Sequence, residues 1–397
     1  MNTLREKHNL YINKIQTDFV RDYINHFPWD EQLIGIRGSR GVGKTTLLFQ
    51  YIKSTYGLSE KALYISLDDL YFIENTLSDF AASFVQKGGE HLFIDEVHKY
   101  ENWAIEIKNI YDQYDELKVV FTGSSLLEIL NSKADLSRRA LVFEMQGLSF
   151  REFLALKYDK LFKSYDLEQL LEESQSISAL INSEIKPLQY FTEYLKSGYY
   201  PFFKKENEFY YQRLREVVSL IIEIELPTQR KIAVSKIKKV KQLLFIIAQS
   251  VPFKPNIKKL SERIGITRNT LVEYLNSLTD ANLIQDLNKD TFGISLLQKP
   301  DKIYLENTNL SYALSLDVPN KGNIRETFFY NQLKKNNSLT YPEKGDFLVN
   351  NKYLFEVGGR SKTAKQISGV KNSYLALDDI EFSDGKKIPL WLFGFLY

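Results

Sequence analysis

Eight consecutive residues, GSRGVGKT at Gly38 to Thr45, constrain this chain more than any others, because they satisfy the spacing G-x-x-x-x-G-K-[ST] at every specified position. The flanks agree: the apolar run LIGI (33–36) precedes the loop and the amphipathic TLLFQYIK (46–53) follows it. A strand, a glycine-rich turn and a helix N-terminus in that order aim backbone N–H groups and the positive end of the helix at one point, which makes a phosphate cradle. Gly38, Ser39, Arg40, Gly41, Val42, Gly43, Lys44, Thr45 and Thr46 are therefore the expected phosphate-binding residues. Lys44 reaches terminal phosphates, and Thr45 offers a hydroxyl to Mg2+.

Such a loop belongs at the end of a buried strand. LIGI, ALYISL (62–67), HLFID (91–95) and KVVFTG (118–123) read as buried strands separated by helical periodicity, which predicts a parallel sheet with helices on its faces. HLFIDEVHK ends its strand in Asp95 and Glu96, and an acid at the C-terminal edge of a parallel sheet lies beside the phosphate loop. Asp95 is expected to hold Mg2+ through its water shell, and Glu96 to orient or deprotonate an attacking water. VVFTGSS presents Thr122 or Ser124, either to that water and the γ-phosphate or merely as a turn cap. In SRRA, Arg138 and Arg139 read either as a solvated basic pair or as a cation offered to the γ-phosphate of a neighbouring subunit.

Composition removes most other chemistry. The chain has no cysteine and four histidines, which excludes disulfides, thiolate metal sites and a cysteine nucleophile and disfavours a histidine-built metal centre. Its formal charge of +2 gives no bulk-charge argument for nucleic acid or membrane binding. The polar start MNTLREKHNLYINKIQ is not a secretory signal, and no apolar run reaches the ~18 residues of a membrane span. The expectation is a reduced, cytoplasmic protein with no membrane partner.

The ordered set GSRGVGKTT, YISLDD, HLFIDEVHKY, FTGSS, LSRRA and QGLSFREFL resembles the bacterial and archaeal AAA+ ATPases whose C-terminal half is a domain of unknown function related to restriction-endonuclease folds. YLKSGYYPFF, KIYLENTNLSYAL and RETFFYNQL extend the resemblance over nearly the whole chain. It implies that Asp95 and Glu96 are the Walker B pair, that Thr122 is the sensor 1 residue and that Arg139 is the arginine finger. Glu96, Lys44, Thr122 and Arg139 are then the expected catalytic set, Thr45 and Asp95 the metal set, and ATP and Mg2+ the cofactors. A finger acting in trans implies a homo-oligomer.

The fold class expected is α/β: a P-loop NTPase of AAA+ type over 1–155, a helical region over 156–230, a winged helix-turn-helix over 231–295 and an α+β nuclease-like domain over 296–397. The winged helix rests on KVKQLLFIIAQSV, NIKKLSERIG stopped by Gly265, a third helix capped by Thr267, and a hairpin through Gly293. It would present Arg268, Asn269 and Thr270 to a DNA groove with Lys258, Lys259 and Arg263 near phosphates, although Glu273 and Asp280 repel phosphate; a protein-contact role is the alternative. In the last domain Glu326, Asp346 and Glu356 resemble the carboxylates of a PD-(D/E)xK nuclease. The run FEVGGR puts Gly358 where that pattern has its lysine, so a silent nuclease fold is expected, with Lys362 or Lys365 as conceivable substitutes. The functional expectation is an ATPase coupling Mg-ATP turnover to a conformational change on a protein or nucleic-acid partner. The alternatives are a nucleotide-switched binder with little turnover and an ATP-controlled nuclease.

Overall fold

The computed structural model describes residues 1–123, 136–204, 208–230, 232–250, 254–289 and 300–397. The chain forms two compact units, Met1–Gly147 and Leu148–Tyr397.

In the first unit the apolar runs at 33–36, 62–67 and 91–95 are each followed by helices that carry the chain back to the same edge, so neighbouring strands run parallel. Strands β1 (Leu33–Arg37), β2 (Ala62–Ser66), β3 (His91–Asp95), β4 (Lys118–Gly123) and β5 (Leu141–Glu144) form one sheet in the order β2-β3-β4-β1-β5. All its pairings are parallel. Helix α1 (Asn2–Lys14) precedes the sheet, and α2 (Lys44–Thr55), α3 (Tyr71–Glu74), α4 (Leu77–Gln86) and α5 (Trp103–Gln113) connect its strands. Phe80 and Phe84 of α4 and Trp103 of α5 share one core cluster with Leu63 and Ile65 of β2 and Ile94 of β3, all buried. The four expected strands lie where the apolar runs put them. Strand β5 was not among them, since its LVFE is only half-buried at the sheet's edge and carries little periodic signal.

Two histidines are sealed inside this unit. His8 of α1 and His91 of β3 have no exposed surface. The backbone N–H of Tyr64 donates to His8 Nδ1 at 3.0 Å, which leaves the proton of the neutral ring on Nε2. His91 Nδ1 lies 3.0 Å from the Tyr56 hydroxyl, and its ring stacks on Phe93 at 4.2 Å. Burial pushes the His8 imidazole down to about 4 and that of His91 down to about 3. Below the ordinary value of 6.5 the unfolded chain therefore binds protons that the folded chain refuses, and stability falls as pH falls. Each histidine contributes up to about 1.4 kcal/mol per pH unit across its window. Urea midpoints of the full chain at pH 7 and pH 5 are expected to differ accordingly, and a His8→Asn, His91→Asn chain to show a flatter profile. Equal slopes in the two chains would refute this account.

The second unit begins with helices α6 (Phe150–Tyr158), α7 (Leu167–Glu172), α8 (Ser174–Glu184), α9 (Pro187–Glu193), α10 (Tyr210–Leu220) and α11 (Leu226–Arg230). Ser149 and Glu152 close a reciprocal capping box on α6, and Pro187 starts α9 where its missing N–H is harmless. Helices α12 (Ile237–Ser250), α13 (Ile257–Ile264) and α14 (Arg268–Asp280) follow. Gly265 ends α13 in the left-handed conformation, and the Thr267 hydroxyl accepts from Thr270 N–H at the start of α14. Strands β6 (Ile284–Leu287) and β7 (Lys302–Leu305) then pair antiparallel, and the hairpin expected through Gly293 lies outside the described residues. Three helices and a two-stranded antiparallel pair thus follow one another in this stretch of the chain.

Helices α15 (Thr308–Leu314) and α16 (Lys321–Leu333) lead into a second sheet, β8 (Leu339–Thr340), β9 (Phe347–Val349), β10 (Tyr353–Gly358), β11 (Ser373–Leu377) and β12 (Lys387–Pro389). Its order is β12-β11-β10-β9-β8, parallel from β10 to β12 and antiparallel from β8 to β10. The terminal apolar run IPLWLFGFLY enters through the three-residue strand β12 and continues as a 3-10 turn over Leu390–Phe395. Every residue of that turn is buried, so an all-apolar run carries no period to separate strand from helix.

Two of the sequence motifs meet here. A π-turn at Tyr194–Gly198 leaves carbonyls without α-helical partners. Asn309 Nδ2 donates to the carbonyls of Tyr194 and Leu195 at 3.2 and 2.9 Å, while its Oδ1 accepts from Tyr199 N–H at 2.9 Å and the Tyr210 hydroxyl at 2.5 Å. Among the described residues, no helix is long and apolar enough to cross a membrane.

Candidate functional site

The strand order sets the geometry. β4 lies between β1 and β3, so the loop leaving β1, Thr122 near the end of β4 and Asp95 at the end of β3 share one edge of the sheet. Gly38 sits at φ 151°, and a Cβ there would lie 2.1 Å from the Met145 carbonyl oxygen, so no other residue fits. Gly43 caps α2 at φ 101°, in the left-handed region that lets the chain enter the helix with its N–H groups facing the loop. Val42 is buried, which leaves only its backbone for the cradle, and Thr46 faces solvent. Lys44 folds over the loop, donating from Nζ to the carbonyls of Gly38 at 2.7 Å and Ser39 at 3.1 Å.

Asp95 is the hub of this edge and is 3% exposed. Its Oδ2 accepts from Thr45 Oγ1 at 2.6 Å and from the Tyr64 hydroxyl at 2.9 Å. Its Oδ1 accepts from Glu96 N–H at 3.0 Å and from Thr122 Oγ1. Thr122 is fully buried and directs its hydroxyl at Asp95. The alternative Ser124 lies outside the described residues. Glu96 adopts φ 54°, uncommon for a non-glycine residue, and its carboxylate lies 3.3 Å from Nε2 of the buried His98.

Among the described residues no group of three His, Cys, Asp or Glu side chains suits a metal. Mg2+ bound with a nucleotide asks for less: one or two hard protein oxygens beside substrate phosphates and water. Thr45 Oγ1 and Asp95 Oδ2, in contact at 2.6 Å, fit that requirement.

Arg139 is not brought to this edge. It immediately precedes β5, which runs parallel to β1, so it lies toward the sheet end opposite the loop. Its Nε and Nη2 grip Asp112 Oδ1 and Oδ2 at 2.8 and 3.2 Å, a bidentate pair with the last turn of α5. Two other residues carry no local motif that would have announced them. Arg21, buried, donates to the carbonyls of Val42, Gln146 and Gly147 at 3.3, 2.7 and 2.9 Å, and so ties the phosphate loop to the segment after β5. Tyr64 reaches Asp95 from β2.

In the second unit the three nuclease-like acids converge, each with a lysine. Lys302 Nζ lies 3.2 Å from Glu326 and 3.4 Å from Asp346, and Lys362 Nζ pairs with Glu356. The Lys362 stem crosses Gly358 so closely that a Cβ there would lie 2.6 Å from its Cγ. The amine thus reaches Glu356 from six positions later, four beyond Gly358, and Lys365 has no place in the pair. Burial, reinforced by Asp346, pushes the Glu326 carboxyl up. On α13 and α14, Lys258, Lys259, Arg263, Arg268 and Asn269 are exposed, interspersed with exposed Glu262 and Glu273.

Residues 30–154 match the family model described as an AAA domain, and the five-stranded parallel sheet with its flanking helices is the P-loop fold of AAA+ type. Residues 188–321 match a domain of unknown function, DUF8612, which stops before Glu326, so the nuclease relationship finds no support there. No functionally curated protein is significantly similar in sequence. Among solved structures, AMPPCP-bound DnaA from Aquifex aeolicus is 15% identical, covering 65% of this chain and 84% of that one at a TM-score of 0.28. The Aeropyrum pernix ORC1 protein in complex with DNA is 12% identical, covering 79% and 92% at 0.30. Saccharomyces cerevisiae RIF2 is 16% identical, covering 55% and 90% at 0.30. Likeness at this level says nothing of what this chain binds or does.

Proposed function

We propose that this chain is a Mg2+-dependent ATPase built on its AAA domain. The observation that carries the reading is the 2.6 Å contact between Thr45 and Asp95, which joins the phosphate loop to the acid of β3 across the intervening strand. A loop of this kind without an acid beside it would bind phosphate but have no second metal anchor.

In this reading Gly38 to Thr46 cradle the phosphates with backbone N–H groups, and Lys44 exchanges its loop carbonyls for phosphate oxygens. Thr45 and Asp95 hold Mg2+, which when bound offsets charge on the phosphates. Glu96 orients or deprotonates the attacking water, and His98 holds its carboxylate until nucleotide arrives. Thr122 keeps the Asp95 carboxylate in place. Arg139 serves a neighbour's γ-phosphate only after releasing Asp112, so a trans role entails an oligomer whose interface breaks that pair. The carboxylates of the second unit have no role in this reading: Glu326 and Asp346 pair with Lys302, and Glu356 with Lys362.

The test is phosphate release from ATP by the full chain, with Mg2+ and with excess chelator. Steady release with Mg2+ is expected, abolished by chelator and lost in Asp95→Asn. Nucleotide binding with no Mg2+-dependent release would replace an ATPase with a nucleotide-switched binder.

A further inference from the structure

Among the described residues, Tyr64 is the one donor to Asp95 that comes from neither the phosphate loop nor the strand ends around it. It lies in mid-strand β2, pairs in register with Phe93, and reaches along the sheet to place its hydroxyl 2.9 Å from Asp95 Oδ2. The ring is 8% exposed and is gripped by Phe49 of α2 at 4.4 Å and Tyr11 of α1 at 6.1 Å between centroids. Its backbone is held as well. Among the described residues β2 is an edge strand whose outward N–H groups have no ladder partner, and His8 Nδ1 of α1 accepts that of Tyr64 at 3.0 Å. Arg5, one turn earlier, donates to the Glu60 carbonyl at 3.0 Å and to that of Ala62, and Lys7 pairs with Asp69 beyond the strand. Burial, with the Asp95 charge beside it, holds the phenol well above its ordinary range, so it remains a donor.

We propose that Tyr64 is a positioning residue of the metal site: its hydroxyl sets the orientation in which Asp95 receives a divalent cation, and α1 keeps Tyr64 in place. The inference rests on the reading that Thr45 and Asp95 hold Mg2+. Asp95 is buried, so its carboxylate depends on hydrogen-bond donors for its direction. Thr45 must also serve the metal, and Thr122 and Glu96 N–H occupy the other oxygen. The phenol therefore limits rotation of the Oδ2 side. Partners of this kind, one bond removed from the ion, typically alter metal affinity by about 10- to 100-fold when removed.

The experiment is a Mg2+ titration of fluorescent ATP-analogue binding to the full chain, beside the same titration of ATP turnover. Tyr64→Phe removes one oxygen and keeps the ring packing. Half-saturating Mg2+ is expected to rise roughly 10-fold or more, while analogue affinity in chelator and the melting temperature stay close to those of the parent. In an Asp95→Asn background, Tyr64→Phe is expected to add nothing. An unchanged Mg2+ midpoint in Tyr64→Phe, or an equal shift in both backgrounds, would overturn the role of Tyr64. If Asp95→Asn itself leaves the Mg2+ titration unmoved, the metal-site reading fails instead, and the two failures are told apart. Should Tyr64→Phe lower the melting temperature, His8→Asn reports on the same clamp: its Oδ1 can keep the acceptor, and it is expected to leave the Mg2+ midpoint unshifted.

Discussion

Lys44→Ala is expected to lose ATP binding while the protein remains folded. The ammonium is buried at the mouth of the loop, where it already answers two carbonyls, and a phosphate would receive it with full charge assistance. Truncating one partner of such a desolvated pair costs about 2–5 kcal/mol, or roughly 30- to 5,000-fold in affinity. Titration of a fluorescent ATP analogue, with circular dichroism melting as control, measures both. Undiminished affinity would mean that the loop does not hold phosphate through Lys44.

Glu96→Gln is expected to act on the other half of the cycle: ATP binds within a few-fold of the parent affinity, and turnover falls by about 100- to 10,000-fold, the usual worth of a general base. The amide fills the same volume and can still meet His98, so the left-handed backbone at Glu96 and the Asp95 contacts made by its N–H are retained. It cannot accept a proton. Single-turnover phosphate release separates this from a binding defect, and turnover equal to the parent would remove Glu96 from the chemistry. Lys44→Ala and Glu96→Gln therefore fail in opposite ways, one by not binding and the other by not releasing.

The loop and the acids were legible because their signal is local. Glycine spacing, a lysine and a hydroxyl within eight residues specify the cradle, and an acid closing an apolar run specifies an edge of the sheet. Tyr64 was not legible, since its reach to Asp95 depends on the register of β2 against β3 and on the length of one side chain. Arg21 was hidden for the same reason, its partners lying more than a hundred residues away in the chain at Gln146 and Gly147. For Arg139 the motif named the residue and left its place open, and the place is decided by a pair with Asp112 that no spacing announces. Lys302 shows the limit in the second unit: inside the apolar strand KIYL a lysine reads as an edge residue, yet it is buried against two carboxylates.

Asn309 gives the second unit a property that its list of helices does not convey. One amide side chain satisfies the carbonyls of a π-turn and anchors Tyr199 and Tyr210, so opening either segment strands buried polar groups in the other. Stretches separated by about a hundred positions in sequence thus behave as a single cooperative unit of local unfolding. Their amides should become exchangeable together, in one event, and never one helix at a time.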